Sequence, residues 1–461
     1  MLIVYGDTTV HADYTEGIHG GRMFSEWSQK TIPVMGEILT SFRQPSITEA
    51  LARFSADIGA PRIRLMPYPL VFDRTEHDRI AAAALHIVAA QGRLASALMA
   101  CCSRADVLLQ LGLPVAWEPY VDWRQLVDAP HRVARVDLVP LRDGHAICEL
   151  NFSVAVGGGE LHDYYRIFAD SLGFPDSDAD VSPFQNLAHL YRETCARVPT
   201  EHLILLDWSS HAALGYLNQH LAHKHLAHSI PSMDIQIHDE TSLTSKWRGC
   251  HDLSNVLIHR CFTFDDVTVN TDIYDDLLQR GARFSNGLEA ELLMSKGWLA
   301  MLWDARNHHL FEPEQITAIR DFLLPSWSVL DADRDWLLSN KDSLIFKQKN
   351  TYGGKGIVLG SSLPPAVLWK RLLDVGLDAW IAQRFVETPT LSHAVDLDGV
   401  YADHRLVLGM YLHGEKASGI LVRSGSRSAV INAGSGALAG WAPALTCDQR
   451  EQLYDSILSG G

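Results

Sequence analysis

Four lysines, Lys341, Lys347, Lys349 and Lys355, fall within fifteen residues of a chain whose formal charge is −16. They frame the run from Leu344 to Gly360. In it an apolar strand carries Lys347 near its end, a turn holds Tyr352, Gly353, Gly354, Lys355 and Gly356, and a second apolar strand, Ile357-Val358-Leu359, returns. Glycines let backbone N–H groups close on an anion, and ammonium groups neutralise the charge those amides leave. The chemistry these residues suit is polyphosphate binding under a folded-over hairpin. A surface hairpin with a lysine-coated edge has the same composition. A Walker loop does not fit, because that motif enters a helix and the residues after Gly356 read as a strand.

Two further segments carry groups that suit the same ligand. Residues 379–387 form a short apolar segment containing Gln383, Arg384 and Phe385 and closed by Glu387. Its backbone groups and the Gln383 amide suit an adenine edge, and the carboxylate suits a ribose. Far upstream, Arg135-Val136-Asp137-Leu138-Val139, the turn Arg142-Asp143-Gly144, and the run from Ala146 to Asn151 predict a β-hairpin. Period two puts Glu149 and Asn151 on one face, and Arg135 and Asp137 on one face. If those faces coincide, Asp137, Glu149 and Asn151 converge as hard oxygen donors of the kind magnesium takes beside phosphate and water. The other reading is a solvated outer face of the hairpin.

Taken in order, these blocks resemble the glutathionylspermidine synthetase-like ATP-grasp ligases, which are circularly permuted so that the metal-binding strands precede the nucleotide-clamping lobe. The blocks are Arg135-x-Asp137, the turn, Glu149-x-Asn151, the lysine-bearing stretch Arg283-Phe284-Ser285-Asn286 to Ser295-Lys296-Gly297, and the strand lysine with its glycine loop and Gln383 hinge. The resemblance spans about residues 130 to 435 and concerns the synthetase part without an amidase domain. It implies an α/β (α+β) ATP-grasp fold with a Rossmann-like pre-ATP-grasp lobe, using ATP and Mg2+. It also implies that Asp137, Glu149 and Asn151 hold the metal, and that Arg135 meets the γ-phosphate or the acyl-phosphate. Lys296 and Lys347 match phosphate-contacting lysines, Tyr352 to Gly356 match the lid loop, and Gln383 with Phe385 match the adenine hinge. Lys349, Arg384 and Glu387 are grouped with the nucleotide, and Arg405 and Arg423 with phosphate or carboxylate, which a guanidinium fork suits. The implied activity is an amide-forming carboxylate–amine ligase releasing ADP and phosphate. Loading of a carrier protein, phosphotransfer and non-catalytic nucleotide binding are the alternatives. The sequence departs from the family after Asn151, where Phe152-Ser153-Val154 follows, and after Lys347, where Gln348 replaces proline. Glutathionylspermidine is therefore not the expected product.

The positioning elements follow from periodicity. Helices are expected over 75–112, 211–227, 287–304 and 313–340, strands at 203–207 and 233–237 as a βαβ unit with the 211–227 helix, and a further strand at 255–260. Four regions result: 1–198 with the metal hairpin, 199–335 as the Rossmann-like lobe, 336–390 as the lid, and 391–461 as strands returning to the core. With 461 residues, 47% of them apolar and 20% charged, a globular enzyme with small-molecule substrates is expected. Acidity disfavours nucleic acid. The apolar stretch from Ile80 to Cys102 is broken by His86, Gln91 and Arg93, so a buried helix is expected there and no membrane association. Seven cysteines without paired spacing and a start lacking a basic signal region point to the cytoplasm. Two motifs stay open. His220, His223, His225 and His228 suit either a zinc site or a solvated helix, and the turn at Asn432 to Gly436 suits either phosphate or a plain strand connection.

Overall fold

The computed structural model describes residue 52 and residues 64–459, except 68, 129–132, 143, 153–156, 173–180, 215–216, 248, 268–271, 352, 396–399, 427–430 and 432–435. Tyr352 and most of the Asn432 to Gly436 turn thus lie outside the described residues. In chain order the strands are β1 (Arg64–Leu65), β2 (Phe72–Asp73), β3 (Val133–Leu141), β4 (Gly144–Asn151), β5 (His202–Asp207), β6 (Asp234–Asp239), β7 (Val256–Arg260) and β8 (Arg283–Phe284). There follow β9 (Ser326–Ser328), β10 (Leu344–Gln348), β11 (Ile357–Leu359), β12 (Trp380–Arg384), β13 (Leu391–Ala394), β14 (Tyr401–His413), β15 (Lys416–Gly425), β16 (Leu438–Ala442) and β17 (Ala444–Leu445).

They form a mixed α/β architecture. A core sheet runs β1-β16-β15-β14-β3-β4, with β13 added to β14, so the predicted hairpin and the C-terminal strands share one sheet. Alternation sends Val136, Leu138, Leu408, Met410, Ile420 and Val422 into the main hydrophobic core. The helix Arg74–Cys101 adds to that core a stripe at 3–4-residue spacing: Ile80, Ala84, Ile87, Leu94 and Leu98. This helix has the length and hydropathy to cross a membrane, but Gln91 within its stripe is fully buried and donates to the Leu293 carbonyl at 2.8 Å. The helix expected over 75–112 breaks at Cys102, because the Ser103 side chain accepts from Asp106 N–H and starts a separate helix, Arg104–Gln110.

The parallel sheet, β6-β5-β7-β8, contains the predicted βαβ unit, with β5 and β6 joined through the helix Leu217–Ser229. The third sheet, β11-β10-β12-β9, has its own core of Leu344, Phe346, Val358, Leu368, Leu372 and Trp380. Its edge strand β9 interrupts the helix expected over 313–340. Pro325 favours extended backbone before it, and Asp333 caps a new helix, Arg334–Ser339, by accepting from Trp336 N–H. Leu344 and Phe346 of β10 face this small core, which turns Ile345 and Lys347 toward the core sheet.

Candidate active site

The hairpin's two faces do coincide. Arg135 pairs directly with Asn151, and Asp137 with Glu149. The register then jumps, so that Leu138 opposes Ile147 and Cys148 is the extra residue of a β-bulge. Without that residue, Glu149 and Ile147 would share a face; with it, Ile147 goes to the core and Glu149 stays beside Asp137. On the other side, β14 sets Gly409 opposite Asp137 and Tyr411 opposite Arg135.

Gly409 is a cradle for an arginine. A Cβ there would lie 2.6 Å from Arg135 Cδ, so only glycine lets the Arg135 side chain lie across β14. Arg135 then donates to Asp137 through Nε (2.8 Å) and Nη2 (3.3 Å), and to the Gly157 carbonyl through Nη1 (3.2 Å). Arg423, on β15, reaches the same carboxylate, with Nη2 2.8 Å from Asp137 Oδ2. Gly409→Val is expected to expel the Arg135 side chain from β14 and let the Asp137 pKa rise toward the ordinary carboxylate value, while the sheet persists. NMR titration of Asp137 with circular dichroism checks both.

Burial alone would raise the Asp137 pKa, but Arg135 and Arg423 outweigh it and bring it to about 2 from 3.8. A depressed carboxylate adds stability above its unfolded pKa and loses it as pH falls through the folded value. Asp137 should therefore contribute about 2 kcal/mol at neutral pH, lost between about pH 4 and pH 2. Urea unfolding of wild type and Asp137→Asn should show a stability gap that closes over that window. A gap unchanged at pH 2 would reject the pairing.

Glu149 is a second ion-pair centre. Lys296, at the junction of helices Glu289–Met294 and Gly297–Trp303, places Nζ 3.0 Å from Glu149 Oε1 and also donates to the Thr351 carbonyl. Its backbone N–H donates to the Lys349 carbonyl at 2.8 Å, tying this junction to the end of β10. Burial opposes ionisation of Glu149, yet Lys296 and then Lys347 hold its pKa below the ordinary carboxylate value. Lys347 is itself bonded to neutral groups: Nζ donates to Gln383 Oε1 (2.7 Å) and to the Cys148 carbonyl (3.3 Å). The Gln383 amide in turn donates to Ser326 Oγ (3.0 Å), which donates to the Leu324 carbonyl (2.9 Å).

Between the core sheet and the β10–β12 sheet lies a cavity of about 630 Å³. Arg135, Lys296, Lys347, Lys355, Arg384, Arg405 and Arg423 line it against three carboxylates, Asp137, Glu149 and Glu387. A cationic cavity in a strongly acidic chain suits a polyanion. Met294, Leu324, Ile345, Leu359 and Phe385 supply apolar wall suited to a flat ring. Asn151, Gly353 and Gly354 also line it. Gly353, Gly354 and Gly356 have φ of 67°, 81° and 64°, the left-handed region that glycine tolerates best. Arg405 lies 3.7 Å from the exposed Glu387 at the rim.

One expectation is corrected. Lys349 leaves the cavity: β10 ends at Gln348, and Lys349 Nζ donates to the Gln110 carbonyl at 2.9 Å beside Gly112. Gln383 does reach the cavity, with its amide accepting from Lys347 and donating to Ser326, so it also holds the lysine in place. Residues that sequence reasoning missed are Gly409, Ser326, Thr263 and the bulge residue Cys148. Burial pushes the Cys148 thiol up to about 12, which makes it a poor nucleophile.

The histidines of the Leu217–Ser229 helix diverge. His220 and His228 are exposed, His223 meets the Ile235 carbonyl at 3.2 Å, and His225 meets Asp163 at 2.9 Å. Among the described residues, no group of three His, Cys, Asp or Glu side chains is placed to hold a metal ion.

No family model matches the chain, and no curated protein matches it. Among solved structures, it is similar to a glutathione synthetase-like effector, GSS30, from Globodera pallida in its apoform. The two share 12% sequence identity and superpose with a TM-score of 0.58 over 87% of this chain and 96% of that chain. The fold is glutathione synthetase-like. In this fold the strongly charged face of the core sheet, with Arg135, Asp137, Glu149 and Arg423, looks across the cavity to Lys347 and the glycine turn of the small sheet.

Proposed function

We propose that this chain is an ATP-grasp carboxylate–amine ligase of the circularly permuted kind, forming an amide through an acyl-phosphate and releasing ADP and phosphate. The observation that carries the reading is the cationic cavity between the hairpin and the glycine turn, with seven basic side chains facing three acidic ones. The parallel β5–β7 lobe supports the Rossmann-like assignment, and the hairpin's place before the small sheet in the chain supports the permuted order.

In this reading Lys296, Lys347 and Arg135 offset charge on the transferring phosphoryl group, work that is mostly positioning and electrostatics. The glycine turn with Lys355 covers the phosphates and excludes water from the reacting carboxylate. Asp137 and Glu149 would hold Mg2+, which supplies Lewis-acid polarisation of the phosphates when bound. Their oxygens are hard donors of the kind Mg2+ takes, each paired with a basic side chain in this structure. Asn151 Nδ2 is buried without a hydrogen-bond partner, an orphan donor that a phosphate oxygen would satisfy. Asn151 is therefore assigned to phosphate as well as to the metal's surroundings. Arg405 and Arg423, on neighbouring strands, are the candidates for phosphate or the substrate carboxylate.

The test is the nucleotide product. Purified protein with MgATP and pooled carboxylates and amines should release ADP only when an acid and an amine are both present, with a condensed product by mass. ADP without an amine requirement would favour phosphotransfer. AMP would overturn the acyl-phosphate route, and ATP binding without turnover would point to a carrier-protein acceptor or to a binding module.

A further inference from the structure

We propose that Arg423, with Arg135, keeps divalent cations off Asp137 until a polyphosphate draws the guanidinium away, so that metal and polyphosphate enter this site together. The inference rests on the polyphosphate reading of the cavity and adds an order of binding to it.

Both Asp137 oxygens are already engaged. Oδ1 accepts from Arg135 Nε at 2.8 Å, and Oδ2 lies 3.3 Å from Arg135 Nη2 and 2.8 Å from Arg423 Nη2. All three side chains are largely desolvated, with 12%, 6% and 13% exposure for Arg135, Asp137 and Arg423. A cation binding Asp137 must displace guanidinium groups and leave them buried without a counter-charge, which is the costly way to break a buried pair. It would do so in a cavity already lined by Lys296, Lys347 and Lys355. A polyphosphate reverses both terms: it offers each guanidinium a bidentate partner and turns the local field negative.

The two arginines are not equally free to move. Arg135 is fastened by the Gly409 cradle and by its bond to the Gly157 carbonyl. Arg423 Nε is buried with no hydrogen-bond partner, and the carboxylate is the anionic group it meets. Arg423 is therefore the one that moves. Glu149 is guarded differently, since Lys296 is also held by the Thr351 carbonyl.

The experiment uses Mn2+ as the probe, titrated by electron paramagnetic resonance without nucleotide, beside a separate calorimetric titration of ATP in EDTA and in Mn2+. Arg423→Met should bind Mn2+ roughly tenfold tighter than wild type with no nucleotide present, and Arg423→Met with Asp137→Asn should lose that gain. In wild type, ATP should bind roughly tenfold tighter with Mn2+ than in EDTA, because coupling between two ligands is reciprocal. Equal Mn2+ affinity in wild type and folded Arg423→Met would overturn the proposal. Arg423→Gln serves as the second variant where Arg423→Met melts early. Wild type that binds no ATP in either medium, while Arg423→Met still gains Mn2+, would overturn the polyphosphate reading and leave the guarding of Asp137 standing.

Discussion

On the proposed ligase reading, Glu149→Gln is expected to lower ATP turnover by roughly a thousandfold while the protein stays folded. The substitution keeps the shape of the side chain and keeps an oxygen for Lys296, whose Nζ lies 3.0 Å from Glu149 Oε1. What it removes is the negative charge at the point where the hairpin, the Lys296 junction and Lys347 of β10 meet. The positive charges of Lys296 and Lys347 around it are the reason the Glu149 pKa stays low despite burial. Trading a buried ion pair for a charge–amide bond should cost on the order of 1–3 kcal/mol of stability, a modest drop in the melting midpoint. Catalysis suffers more, because a carboxylate can both hold a divalent ion and set the position of Lys296, and an amide does the second alone. Steady-state ATP hydrolysis or ligation, measured beside a thermal melt, separates the two effects. Near-wild-type turnover in folded Glu149→Gln would remove Glu149 from the reaction centre.

That Glu149 sits there was legible because it depends on a local rule. Period-two alternation puts Glu149 and Asn151 on one face, and a tight hairpin brings Arg135 and Asp137 opposite them. Alternation alone did not reveal the bulge at Cys148, which breaks that rule between Asp137 and Leu138. Lys347 and Lys349 have the same parity, and a continued strand would have put both in the cavity. The strand stops at Gln348, Lys349 N–H turns to the Ala379 carbonyl, and the side chain swings to Gln110. Strand ends are set by neighbours, not by residue type. Gln383 was identified as a site residue for its amide, but what that amide bonds depends on β12 pairing with both β10 and β9. The second of those strands lay inside a stretch that looked helical. Gly409 left a readable trace, a glycine amid Leu408 and Met410 in a long strand, which signals close approach by another group. The identity of that group, an arginine from β3, is a tertiary fact.

The pairing of Lys347 with Gln383 leads to the other large effect. Lys347 is 6% exposed, and its ammonium donates to an amide oxygen and a backbone carbonyl, neither of which carries a formal charge. Its orientation is fixed while its charge remains available to a ligand, in contrast to Lys296, which faces Glu149 directly. On the proposed ATP-binding reading, Lys347→Met should therefore weaken ATP binding by about 3 kcal/mol, roughly a hundredfold, since it removes a charge-assisted bond and keeps most of the apolar stem. Gln383→Glu should also cost much of that affinity although it changes one atom, because a carboxylate about as close to Nζ as the amide would cancel the charge the phosphates need. Gln383→Met should cost least of the three: Lys347 loses one acceptor and some order but keeps its charge. Isothermal titration of ATP into the three variants tests this ranking. If Gln383→Glu bound ATP as tightly as wild type, the Lys347 charge would not be what the nucleotide reads. If Gln383→Met were the weakest binder, the amide would act by direct contact with the ligand and not through the lysine.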